Sequence, residues 1–381
     1  MAFLLVGVLV SAPGTFFAGW GYHLQPPFSK IGWLLGCFSL GILIVLQSVR
    51  LLFERVSGRA VLTASAALAT FSFIGLAELG AAELENYRFA CVVALGLACG
   101  GLIAAAFRLL QPLYEQGPGA TVSLASGLMG IGCMCPAVIG WACYEIQDFR
   151  LALYVEAGMA SAMAWIFFRA PRSIEPKWPL TGFHEAIKEL KSPVHLLFAA
   201  ILFFQTAAEF SVSQWTALHL SLRSGLSPGS ALLYLAAYFL LLWAGRYVVQ
   251  GFLGRVPHRR ILLFSAALAW VGLLLLSSAE NETGAALGLF LTAIGYSAVY
   301  PLIVEKIGDR FAEYHASLFH GIFGLATMGG FLAPSLGAWL AAEFGEVFAM
   351  RVPLAASFLV FLLLGAIWIE AKLNVRQALR S

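Results

Sequence analysis

Apolar residues in this chain run in long stretches, separated by short clusters of Gly, Pro, Ser and charged positions. Each run of about 20 residues is long enough to cross a hydrocarbon core of about 30 Å as a helix. The runs predict about twelve helices, centred roughly on residues 12, 41, 71, 100, 131, 159, 207, 240, 269, 295, 328 and 358. Lipid-spanning strands would instead alternate in polarity over about 10 residues, which these runs do not. An even number of spans puts both termini on one side. Met1 leads almost directly into the first run without a basic region or a small-residue cleavage site, so no processing is expected.

Composition agrees with this pattern. The 381 residues are 60% hydrophobic and 11% charged, whereas a water-soluble domain carries about 25% charged residues. The expectation is a multi-pass, all-α protein of the cell membrane. Charge then sets its orientation. With the N-terminus inside, inner loops and the C-terminal tail hold Arg50, Arg55, Arg59, Arg169, Arg172, Lys177, Lys188, Lys191, Arg255, Arg259, Arg260, Lys306, Arg310, Lys372, Arg376 and Arg380. Outer loops hold Lys30, Arg88, Arg150, Arg223 and Arg351. This asymmetry predicts cytoplasmic termini. The net charge of +3 therefore reports orientation, and no exposed basic domain suggests a nucleic-acid partner. The six cysteines show no CxxC spacing and read as small apolar packing residues.

The longest polar stretch, 169–193, holds GFHEAIKELKS, which places Phe183, Ile187 and Leu190 on one helical face and Glu185, Lys188 and Lys191 on the other. It reads as an amphipathic helix along the inner surface. It divides the chain into a six-helix bundle at 1–169, a cytoplasmic linker at 170–193 and a second six-helix bundle at 194–381. These halves repeat. RVSGRAVLTASAALA at 55–69 matches RVPHRRILLFSAALA at 255–269, and Gly132, Pro136 and Trp141 recur with the same spacing as Gly330, Pro334 and Trp339. Six spans preserve direction, so the copies are related by a pseudo-two-fold axis along the membrane normal, an arrangement used by transporters.

Twelve spans, a long central loop and basic motifs after spans two and eight make the chain resemble the major facilitator superfamily over its whole length. Its loop motif, roughly G-x-x-x-D-R-x-G-R-R, is matched in RLLFERVSGRA by Glu54, Arg55, Gly58 and Arg59, with Arg50 at the leading glycine. In GFLGRVPHRR it is matched by Gly251, Arg255, Arg259 and Arg260, with Gly254 in the acid's place. Such arginines can bond helix C-terminal carbonyls and acids of the neighbouring bundle, a gating role. Within the superfamily, the span-seven segment, Gly245-Arg246 and GYSAVYPL resemble the fucose/proton symporter family. That family's transport acids sit in spans one and four. Here span one has no acid and span four carries Arg108, so those roles and that sugar are not carried over.

QTAAEFSVSQW, residues 205–215, places Glu209 in an apolar run with no opposite charge within ten residues on either side. A charged acid at bilayer depth costs about 2.5–3.5 kcal/mol on insertion scales, so it must be paired, solvated or protonated. Gln205, Glu209, Thr216 and His219 share an arc of about 80°, with Ser213 at its edge. The resemblance implies that spans one, four, seven and ten line a central cavity, which turns this arc toward the solute path. Further candidates for solute binding or proton coupling are Arg108, the stripe holding Tyr296 and Tyr300, Trp20 with His23 on span one, and His320 on span eleven. Arg246 lies about one turn from a basic loop and reads as structural. Glu156 lies toward an outer span end, near water.

No GxxxxGK[ST] loop, HExxH, DDxxD or GxSxG occurs, so neither direct ATP use nor an intramembrane lipid-modifying enzyme is the leading reading. The leading reading is a secondary active transporter of a small polar solute, sugar-like or an organic anion, working by alternating access as a proton symporter with Glu209 as coupling acid. The alternative is an exporter of amphipathic or cationic compounds. No cofactor or metal is expected. The expected partners are solute, protons and membrane lipids, and the expected state is a monomer.

Overall fold

The computed structural model of the chain describes residues 1–79, 85–116, 118–170, 188, 190, 193–252, 255–310 and 316–378. Among these residues lie 12 helices long and apolar enough to span a membrane. The first six are α1 (Ala2–Gly19), α2 (Phe28–Arg55), α3 (Gly58–Glu78), α4 (Glu85–Gln116), α5 (Pro118–Glu145) and α6 (Phe149–Arg169). The second six are α7 (Pro193–Arg223), α8 (Pro228–Phe252), α9 (His258–Ser278), α10 (Glu282–Arg310), α11 (Ala316–Phe344) and α12 (Val347–Ala378). The proposed amphipathic segment of the linker lies outside the described residues, apart from Lys188 and Leu190.

Apolar length explains why these segments span, and local polar groups explain where they begin. The Ser57 hydroxyl accepts from the Ala60 amide at 3.4 Å, and Asp148 accepts from the Arg150 amide at 3.1 Å. Asn281 accepts from the Gly284 amide at 2.8 Å. Each satisfies an N–H that has no intrahelical acceptor in the first turn.

Packing repeats with a period of six helices. In the first half α1 packs on α5, α2 on α4, and α3 on α4 and α6. In the second, α7 packs on α11, α8 on α10, and α9 on α10 and α12. The sequence repeats supply the small residues for this. Ser65, Ala66 and Ala69 are buried in α3, and their counterparts Ser265, Ala266 and Ala269 are buried in α9. Gly132 brings α5 against the α1 backbone at Leu4 and Gly7, and its counterpart Gly330 brings α11 against Phe210 and Thr206 of α7. Side-chain loss lets helix backbones approach closely where lipid provides no hydrophobic drive.

The halves meet through α5 on α8, α2 on α11 and α1 on α7. From mid-depth to the side away from the termini, called the far side below, this seam is closed. Gln214 donates to the Val10 carbonyl at 2.6 Å, and Ser39 donates to the Phe331 carbonyl. Gly14 sits so close to the α7 backbone that a Cβ there would lie 2.9 Å from the Gln214 Cα. Phe17 faces Trp215 at 6.3 Å between ring centroids, and Trp33 meets Trp339 edge-on at 5.2 Å.

Candidate functional site

Below that seal, toward the termini, a cavity of ≈ 130 Å³ lies between the halves. The first half contributes α1, α4 and α5, and the second contributes α7, α8, α10 and α11. Its wall is apolar, with the rings of Phe3, Phe107, Phe210, Tyr300, Phe323 and Phe331 spread over both halves among aliphatic side chains. Phe107 and Phe323 meet across the halves at 6.3 Å. The wall threonines offer little hydrogen-bonding capacity to a ligand. Thr206 donates to the Leu202 carbonyl at 2.9 Å and also to that of Ala326, and Thr327 donates to Phe323 at 2.7 Å.

Set into this apolar wall is one ion pair. Arg246 of α8 donates through Nη2 to Glu209 Oε1 at 3.0 Å, with the two side chains 10% and 15% exposed. Its Nη1 donates to the Ser126 carbonyl of α5 at 3.1 Å. The guanidinium thus joins an acid of one half to the backbone of the other. Removed from water, a charge-assisted contact of this kind is stronger than a neutral hydrogen bond. It neutralises a carboxylate that would otherwise be costly at this depth.

Sequence reasoning singled out Glu209, and the structure places it on the cavity wall with Tyr300. Gln205 lies against the Glu209 carboxylate one turn away on α7, and the other candidates are elsewhere. Gln205, Thr216 and Tyr296 are buried off the wall, with the Thr216 hydroxyl bonded to the Val212 carbonyl at 2.7 Å. Arg108 points away from the cavity that its neighbours Phe107 and Leu110 line, and its guanidinium lies 4.6 Å over the Phe53 ring. Trp20 and His23 stand at the far end of α1, about 25 Å along the axis from Phe3. There Arg88 packs over the Trp20 ring at 5.0 Å, and burial holds the His23 imidazole below its ordinary value against an opposing bond to the Ala18 carbonyl. His320 is on α11, with its side chain outside the described residues.

Arg246, read as structural, is the partner of Glu209 and belongs to the site. Of the loop arginines, Arg59 donates to the Ala170 carbonyl at the end of α6, 2.8 Å away and within its own half. Arg55, Arg255 and Arg259 are exposed. Glu156, expected near water, is buried at 1% exposure.

Two six-helix halves enclosing a central cavity sealed on one face define a membrane transporter. The sequence matches the Major Facilitator Superfamily over residues 1–327, and the chain belongs to that family. Solved structures share the fold. A D-xylose-proton symporter superposes with a TM-score of 0.73 at 15% identity, covering 95% of each chain. The Escherichia coli fucose:proton symporter gives 0.61 at 14% identity, over 95% of this chain and 97% of that one. A bacterial homologue of the human lysosomal transporter Spinster, inward-facing and unoccupied, gives 0.67 at 14% identity, over 96% and 94%. An uncharacterized MFS-type transporter of Yersinia pestis is 24% identical over 110 residues, and this match spans 29% of each protein. Family membership sets aside the lipid-modifying enzyme: these proteins are transporters.

Proposed function

We propose that the protein is a proton-coupled secondary transporter of a small amphipathic organic anion, with Glu209 and Arg246 as its working pair. The observation that carries this reading is the largely buried ion pair in an apolar cavity between the two halves. With Glu209 ionised, the site is neutral and closed on itself. Protonation of Glu209 frees the Arg246 guanidinium, whose planar fork suits a carboxylate. A neutral acid beside an unpartnered arginine would leave a buried cation, which is strongly unfavourable. Proton and anion therefore bind together or not at all. The rings of Phe107, Phe210 and Phe323 hold the solute's apolar body.

The resemblance to sugar–proton symporters supports proton coupling more than it supports a sugar. A sugar's hydroxyls need several polar partners, and this wall offers mostly aliphatic and aromatic side chains, with threonines already bonded to helix carbonyls. The same rings also favour a second reading, an amphipathic cation held by Glu209. The lysine and arginine asymmetry supports cytoplasmic termini in the cell membrane. On that reading the 1–169 and 194–381 bundles move as units about the 170–193 link, and Glu54, Arg55, Arg59, Arg255 and Arg259 close the terminal side in the alternate state.

The test is thermal stabilisation of the purified protein by aromatic carboxylates, hexoses and aromatic amines, at acidic and at alkaline pH. Aromatic carboxylates are expected to stabilise, more strongly at acidic pH, and Glu209→Gln to keep that effect at both. In proteoliposomes Glu209→Gln should lose proton-driven accumulation of the stabilising carboxylate while retaining exchange. Stabilisation by hexoses alone would sink the proposal. Stabilisation by amines alone, lost in Glu209→Gln, would install the second reading.

A further inference from the structure

Glu156 takes no part in the site above, yet it is a carboxylic acid inside the first bundle. It lies on α6 about 10 Å from that helix's first residue and is 1% exposed. Its Oε2 is buried without a hydrogen-bond partner. The helices packed against α6 are α3, α5 and α1. The titratable side chains of α3 are Arg59 and Glu78 at its two ends, the first bonded to Ala170 and the second to Tyr154. On α5, Cys135 and Cys143 lie near enough to feel the charge of Glu156. On α1 there is no titratable side chain. Among the described residues these helices set no cation against the acid, and Arg150, six residues before it on α6, opens into the vestibule described next. Ionising it in place would cost several kcal/mol.

A second cavity explains how a proton could reach it. On the far side a polar vestibule of ≈ 330 Å³ is lined by Trp20, Arg88, Gln147, Asp148, Arg150 and Leu153, among others. Leu153 is one turn from Glu156 on the same helix. The vestibule lies on the face where the solute path is sealed and belongs wholly to the first half.

We propose that Glu156 is a second proton-binding site, occupied in this conformation and loaded from the far side through the vestibule. It is separate from the Glu209–Arg246 pair and does not depend on what the central cavity carries. Exchange with the far side runs through the vestibule, whereas release toward the terminal side requires α5 and α6 to part, which links delivery of the proton to conformation through the helix that also supplies the Ser126 carbonyl.

The test is the infrared carbonyl stretch of a neutral carboxylic acid, recorded on the purified full chain in lipid nanodiscs at neutral pH. The band is expected to be present, to shift on deuteration, to vanish in Glu156→Gln and to persist in Glu209→Gln. Glutamine has the shape of the neutral acid, so folding should survive. Glu156→Asp is the second variant and should retain a band at a shifted position. A wild-type spectrum without the band, or one unchanged in Glu156→Gln, would overturn the site. Leu153→Phe should slow deuteration of the band severalfold, and an unaltered rate would overturn the route.

Discussion

Arg246 joins two different acceptors with one guanidinium, and its removal has a definite expected cost. Arg246→Ala leaves Glu209 buried without its counter-charge, a change worth about 3–5 kcal/mol. The fall in thermal midpoint should be recovered largely when Glu209→Gln is added, and a double-mutant cycle measures the coupling. Additive losses would mean the two groups do not interact. Glu209 was legible in the sequence because a lone acid stands out in an apolar run. Arg246 was not read as its partner, because the contact spans 37 positions between two helices and no local window contains both. Trp20 and His23 show a different limit. Helical periodicity gives the direction of a side chain but not its depth or where the helix stops: Trp20 caps the far end of α1 and His23 lies in the turn beyond, while the other end of that helix meets the cavity.

At the scale of helices, the two copies of one packing joint should respond unequally to the same change. A side chain at Gly132 would strike backbone atoms of α1, including the Leu4 carbonyl, while at Gly330 the nearest atoms are the Phe210 ring at 3.2 Å and the Thr206 Cβ at 3.4 Å. Rings can turn, but a helix backbone must translate. Overpacking of this kind costs about 1–3 kcal/mol, so Gly132→Val should fall at the upper end and Gly330→Val at the lower, compared by thermal unfolding in detergent. Equal losses would refute the distinction. The repeats themselves were plain in the sequence, down to the SAALA runs that pack α3 and α9. Which member of each pair meets backbone and which meets side chain was not, because the neighbouring helix in each half has a different sequence.

For the whole molecule, the number of spans was readable because hydrophobic length determines it, and the two halves because their segments repeat. The closed face was not, since the hydrophobic pattern along the chain is the same whichever face of the bundle is sealed. Closure depends on a few contacts. Gln214→Ala removes the 2.6 Å bond to Val10 across the seam, a hydrogen bond worth about 0.5–1.5 kcal/mol. The far side should then open more often, by roughly 2- to 10-fold on that energy. A single cysteine placed at Phe17, buried against Trp215, should be labelled correspondingly faster by a membrane-impermeant maleimide. Cysteines replacing Trp33 and Trp339, joined by an oxidant, should arrest transport and be released by reductant.

The tie between the halves at Arg246 also has a genetic consequence. Its acceptor in the first half is the Ser126 carbonyl, which every amino acid at that position supplies. Ser126→Ala leaves that acceptor in place, so a side-chain scan of the first bundle will pass over one end of the bond. Suppressors of an Arg246 defect should instead arise where the path of α5 is set, as at Gly130, which packs against the Trp243 side chain of the same helix that carries the arginine.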